Sequence, residues 1–105
     1  MKDHPEALLH AKLNCETGRL HWRELERHFA RGAVVKVAPG MDLVEVAVRF
    51  AQDDKPTIEA WLEAGRIDRA ATEDAVVWQG RQSVFWAVVV APWVLVQEIA
   101  PAQND

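Results

Sequence analysis

Cysteine is nearly missing from this sequence: Cys15 stands alone. An internal disulfide and a cysteine-based metal site are therefore excluded, and the pattern fits a reducing compartment, the cytoplasm by default. Near the end of a first helix, Cys15 reads as a small buried hydrophobe. Glycine is sparse too, and Gly18, Gly32, Gly40, Gly65 and Gly80 each stand at an element boundary, so no glycine-rich phosphate loop exists. Ser83, Thr17, Thr57 and Thr72 occur in no recognisable nucleophile motif. The amino-terminal segment, Met1-Lys2-Asp3-His4-Pro5-Glu6 followed by Ala7-Leu8-Leu9-His10-Ala11-Lys12, is too short and too charged for a signal-peptide core. No run is long enough to span a membrane: the longest apolar stretch, from Val84, is broken by Pro92, whereas a spanning helix needs about 20 residues. Positive charge is in deficit, 12 Lys and Arg against 16 Asp and Glu, for a net charge of −4. That balance supports solubility and gives no sign of a phosphate-seeking surface.

What is present is an apolar segment, Val84–Ile99, that carries no charge until Glu98. Its large side chains (Val84, Phe85, Trp86, Val88, Val89, Val90, Trp93, Val94, Leu95, Val96 and Ile99) each gain roughly 1.5 to 3 kcal/mol on burial. The rest of the chain must cover it. With 105 residues, half of them hydrophobic, the sequence can build one core, and residues 1–105 read as one domain with 100–105 as a mobile tail.

The covering elements follow from start and stop signals. Asp3 or His4 ahead of Pro5, then Leu8, Leu9 and Leu13, predict a helix that stops at Thr17-Gly18. Trp22, Leu25 and Phe29 lie on one side of a second helix, Trp22 to Arg31, with Glu24 three residues after His21 as in a capping box. Ala33–Ala38 is β-branched and closed by Pro39-Gly40, a strand. Asp42 caps a third helix to about Gln52, with Leu43, Val46, Ala47 and Phe50 inward and Glu45 paired to Arg49 outside. After Asp53-Asp54-Lys55, Pro56 opens a fourth helix with Ile58, Trp61 and Leu62 inward and Gly65 at its end. Thr72 is the expected cap of a fifth, ending near Gly80. One straight strand over Val84–Ile99 would run about 50 Å, so a break at Ala91-Pro92-Trp93 is expected.

Several of these residues form a recognisable set: Glu16-Thr17-Gly18, Trp22, Glu24-Leu25, Phe29, Gly32, Asp42 to Ala47, Trp61 with Gly65, and above all Trp86 to Glu98. Over nearly the whole chain they resemble a bacterial family catalogued as domain of unknown function number 2288. The resemblance implies a small bacterial protein and carries no activity, cofactor or catalytic residue. His21 departs from the serine-like cap expected at that position.

Candidate sites are few, and each has a plainer explanation. Arg23, Arg27 and Arg31, extended by Arg19, form a basic stripe that could meet an anionic partner. They lie opposite the apolar face of their own helix with Glu24 and Glu26 among them, as on any solvated helix. His21 and His28 are seven residues apart, about 10 Å along a helix, too far to share a metal ion. The acid pairs Asp42/Glu45, Asp53/Asp54 and Glu59/Glu63 are explained by a cap, a turn and a solvated face. The order helix, strand, helix, turn, helix, then strands echoes a winged helix, but its second helix presents Glu59 and Glu63 outward, and these would repel a phosphate backbone. In an alternating strand over Val84–Ala91 neither side is polar, so both faces need cover, from the helices or from a second copy meeting Trp86, Trp93, Val88 and Leu95.

The expected protein is therefore an α+β domain: a small, mainly antiparallel sheet of about three strands under four or five helices, with a winged-helix-like pair. It is expected to be a non-enzymatic cytoplasmic module that acts through protein contacts, as a homodimer or with another protein, with no cofactor and no membrane partner. The alternative is a nucleic-acid-binding regulator.

Overall fold

The computed structural model describes residues 5–99. The expected cap at Asp3 or His4 and the expected mobile tail lie outside these residues. In chain order the elements are α1 (Pro5–Glu16), β1 (Gly18–His21), α2 (Trp22–Ala30), β2 (Val34–Val37), α3 (Leu43–Ala51), α4 (Lys55–Glu63), β3 (Ile67–Arg69), α5 (Thr72–Arg81), β4 (Val84–Val90) and β5 (Trp93–Glu98). The fold is α+β, with the five helices where periodicity and capping put them.

Local chemistry explains most boundaries. Asp42 accepts hydrogen bonds from the backbone N–H groups of Val44 and Glu45 at 3.0 and 3.2 Å, which starts α3. Asp54 does the same for α4, accepting from Thr57 N–H at 3.3 Å and from the Thr57 hydroxyl at 2.8 Å, with Pro56 in the first turn. At α2 only half a capping box forms: the His21 backbone N–H donates to Glu24 Oε1 at 3.0 Å, and the imidazole makes no cap bond. Ala71, not Thr72, is the N-cap residue of α5, and the work passes to Asp74, which accepts the Ala71 N–H at 2.8 Å. That helix also runs past Gly80 to Arg81, and Gln82 takes the left-handed cap conformation at φ 51°.

The sheet has five strands in the order β1-β4-β5-β2-β3 and is mixed. The pairs β1/β4, β4/β5 and β2/β3 are antiparallel, and β2/β5 is parallel. The sequence expectation of about three mainly antiparallel strands missed β1 and β3. Both are edge strands of three or four residues, too short to display a period-two pattern. The winged-helix order is not kept either: β3 and α5 stand between α4 and the β4–β5 strands, and β3 returns beside β2.

The apolar run occupies the middle of the sheet and turns at Ala91-Pro92, where a residue without an N–H costs no ladder bond. Register sorts its side chains. Val88 opposite Leu95 and Val90 opposite Trp93 share one face; Phe85 opposite Glu98 and Ala87 opposite Val96 share the other. On the first face α1, α3 and α4 pack Leu13, Leu43, Val46, Ala47, Val48, Ile58 and Trp61 against Val35, Ile67, Val88 and Leu95. On the second, α2 and α5 pack Trp22, Leu25, Phe29 and Trp78 against Val34, Phe85, Val94 and Val96. The chain's own helices thus cover most of both faces, leaving Trp86 and Val89 of β4 exposed.

Candidate functional site

The first face is not covered to its end. Between α4 and the β4–β5 turn lies a groove of about 570 Å³. Val35, Ile67, Val90 and Trp93 of the sheet line it, and Phe50 of α3 with Ile58 and Leu62 of α4 complete the apolar part. Asp53, Lys55, Glu59 and Arg69 bring charge of both signs to the same lining. The spacing of α4 explains its share: positions 55, 58, 59 and 62 follow the i, i+3, i+4, i+7 pattern of one helix face. Leu62, expected inward, is 46% exposed. Trp93 is half-buried, and the Arg69 guanidinium lies 5.1 Å from its ring centroid.

The charges behind α4 are arranged differently. Arg49 bonds Glu45 at 2.9 Å and also reaches Glu6 and Asp54, each at 3.5 Å. The hydrogen bond that Arg49 donates to Glu45 pushes the guanidinium pKa above its ordinary value; desolvation opposes the shift, and the charges of Glu45, Glu6 and Asp54 add to it.

A second cleft, about 290 Å³, opens on the opposite face and is lined in part by Lys36, Arg66, Asp68, Asp74 and Glu98. Its charges are largely engaged. Lys36 Nζ lies 2.9 Å from Asp74, and Glu98 Oε2 accepts from the Ser83 hydroxyl at 2.6 Å and from Arg81 at 3.3 Å. Ser83 is buried and donates to a carboxylate, so it ties the start of β4 to the end of β5.

The residues singled out by sequence separate in space. Arg23, Arg27 and Arg31 lie exposed along α2, with Arg31 Nη2 2.7 Å from His28 Nδ1. His28 is held below its ordinary pKa of 6.5, first by partial burial and then by Arg31 and Arg27. Arg19 does not extend this stripe: it sits on β1 opposite Trp86, on the face away from α2, with its guanidinium 5.3 Å from the indole centroid. The four residues expected at a self-association surface divide as well. Val88 and Leu95, 1% and 0% exposed, lie beneath the helices of the first face and offer no surface; Trp86 is 41% exposed. Their alternation was legible, but not which helices would cover them. Cys15 is exposed rather than buried, because α1 turns Leu13 toward the sheet and Cys15 away from it. Among the described residues, no three His, Cys, Asp or Glu side chains gather closely enough to hold a metal ion, and no helix is long and apolar enough to cross a membrane.

The groove itself escaped sequence reasoning. Ile58 and Leu62 were visible as apolar positions, yet nothing local in the sequence shows that the β4–β5 turn ends beside them or that Arg69 lies on Trp93.

Two comparisons place the chain among known proteins. A family model described as protein of unknown function (DUF2288) matches residues 8–98. The NMR solution structure of PA1075 from Pseudomonas aeruginosa is similar at 41% identity and a TM-score of 0.79, with 99% of this chain and 100% of that chain covered. No functionally curated protein matches the chain.

Proposed function

Because the chain belongs to the DUF2288 family of proteins of unknown function, the site alone must supply a role, and we propose that it is a non-enzymatic bacterial module that works in the cytoplasm through protein contacts at the α4 groove. One observation carries this: an open apolar recess with Leu62 half out of it and charges of both signs in its lining. That is the anatomy of a protein interface, where an apolar centre excludes water and a polar rim sets orientation. The two-sided apolar strands that first pointed to a partner support one less strongly, since α1 to α5 cover most of them and leave Trp86 and Val89 of β4 exposed. Nucleic-acid binding through Arg23, Arg27 and Arg31 is the weaker reading, because Glu24 and Glu26 alternate with them and α4 presents Glu59 and Glu63.

The test is site-specific photo-crosslinking in producing cells, with benzoylphenylalanine at position 62 and, as a control, at Val76, which is 67% exposed on the opposite side of the sheet. Discrete protein adducts from position 62 and not from 76 are expected. Adducts from neither position, or equally from both, would remove the groove as a contact surface.

A further inference from the structure

Resting on the reading of the groove as a protein-contact surface, we propose that its occupant is a second copy of this chain, docked with α4 antiparallel to α4 about a twofold axis.

The charge pattern of α4 points to this partner. Lys55 opens the helix, Glu59 follows one turn later and Glu63 ends it. The positive end of the helix has its anion in the Asp54 cap, with Lys55 beside it, whereas the negative end carries Glu63, an anion that the macrodipole disfavours there. Among the described residues none of the three forms an ion pair, although Arg49 nearby gathers Glu6, Glu45 and Asp54. An antiparallel neighbour supplies these charges with partners. With the axis midway between Lys55 and Glu59, at the level of Thr57, each Lys55 stands level with Glu59 of the other copy, and the two helix dipoles oppose.

The same axis places the apolar groups. Leu62 lies five residues from Thr57, about 7.5 Å along the helix, and so reaches past the start of the other copy's α4. Phe50 lines the groove there. Leu62 is 46% exposed on one edge of a recess, so each copy offers a knob and a hole, the self-complementary patch that an isologous contact requires. A basic or strongly acidic partner would satisfy only one sign of the Lys55/Glu59 pair. A second copy satisfies both.

The experiment is sedimentation equilibrium with light scattering on the full chain from about 5 to 500 μM, at low and at high salt. A concentration-dependent shift from 11.8 kDa toward twice that mass is expected. Leu62→Glu should abolish it, with the circular dichroism of the fold unchanged. Lys55→Glu and Glu59→Lys should each weaken it by about tenfold, since like charges then face each other, and the double exchange should restore it. A single 11.8 kDa species at every concentration, a dimer indifferent to Leu62→Glu, or a double exchange no better than the single ones would each overturn the proposal. If the chain stays monomeric while position 62 still crosslinks to a different protein, the groove reading stands and only the twofold dimer falls.

Discussion

The two faces of one sheet are built from the same apolar strands and end in different states. Against α2 and α5 the contact is aromatic and closed at its centre, though Val89 near the β4–β5 turn is 59% exposed: Trp78 stands edge-on to Phe85 at 4.9 Å between centroids, and Trp22 meets Phe29 at 5.8 Å. It is closed enough that the buried Trp22 Nε1–H finds no acceptor. Against α1, α3 and α4 the contact is mainly aliphatic and dense under α3, but open beside α4, where Trp93, Phe50 and Ile58 are only partly buried. Apolar sequence therefore does not say where apolar surface is left over. What decides it is the cover: rings of large area fill the centre of the second face from two helices and leave Val89 bare at its end, while α4, at the sheet's β3 end, stops short of the β4–β5 turn.

That contrast can be broken by mutation, and the closed face should be the more sensitive. Phe85→Ala empties the centre of the aromatic cluster and should cost about 3 to 5 kcal/mol, read as a drop in the urea midpoint; a cost near that of an open-face substitution would erase the distinction. Ile58→Ala, at a half-buried wall of the groove, should cost about 1 to 2 kcal/mol, because part of its surface already meets water. Asp42→Ala removes the side-chain cap that starts α3, the helix that seals the dense part of the open face, and should cost about 1 kcal/mol. Leu62→Ser should leave stability within about 0.5 kcal/mol, as surface changes usually do. A larger loss would mean that Leu62 serves the fold and not a contact.

The smallest expected effect is electrostatic and belongs to the closed side. His28 titrates below 6.5 in the folded chain because partial burial, then Arg31 and Arg27, disfavour its charged form. Its folded value lies under its unfolded one, so the associated stability is present above about pH 6.5 and declines as pH falls through the folded midpoint. NMR titration of the imidazole should give a midpoint under 6.5, and Arg31→Ala should move it upward. A midpoint at or above 6.5 would contradict the arrangement of His28 beside Arg31.

Much of the fold was legible residue by residue, because its signals are local. Asp42 with Glu45, Pro56 after Asp54, and the apolar spacings of Trp22, Leu25 and Phe29 act within one or two helical turns, and all five helices follow from such signals. The site was legible only in fragments. Ile58 could be placed on a helix face, but whether that face is covered depends on β3 and the β4–β5 turn, distant in sequence. Leu62 and Cys15 went the wrong way for the same reason: a helical period shows which residues share a side, not how far the neighbouring layer extends.

By itself, then, the sequence determined the helices, the first buried strand, the break at Pro92 and the need to cover two apolar sheet faces, since propensity, capping and alternation are short-range properties of the chain. Only the tertiary structure decided the five-strand order, the parallel contact of β2 with β5, the burial of Val88 and Leu95, and the uncovered groove beside α4. Those depend on which segments meet across tens of residues, and the balance of buried area that selects among such meetings is a property of the whole packed molecule.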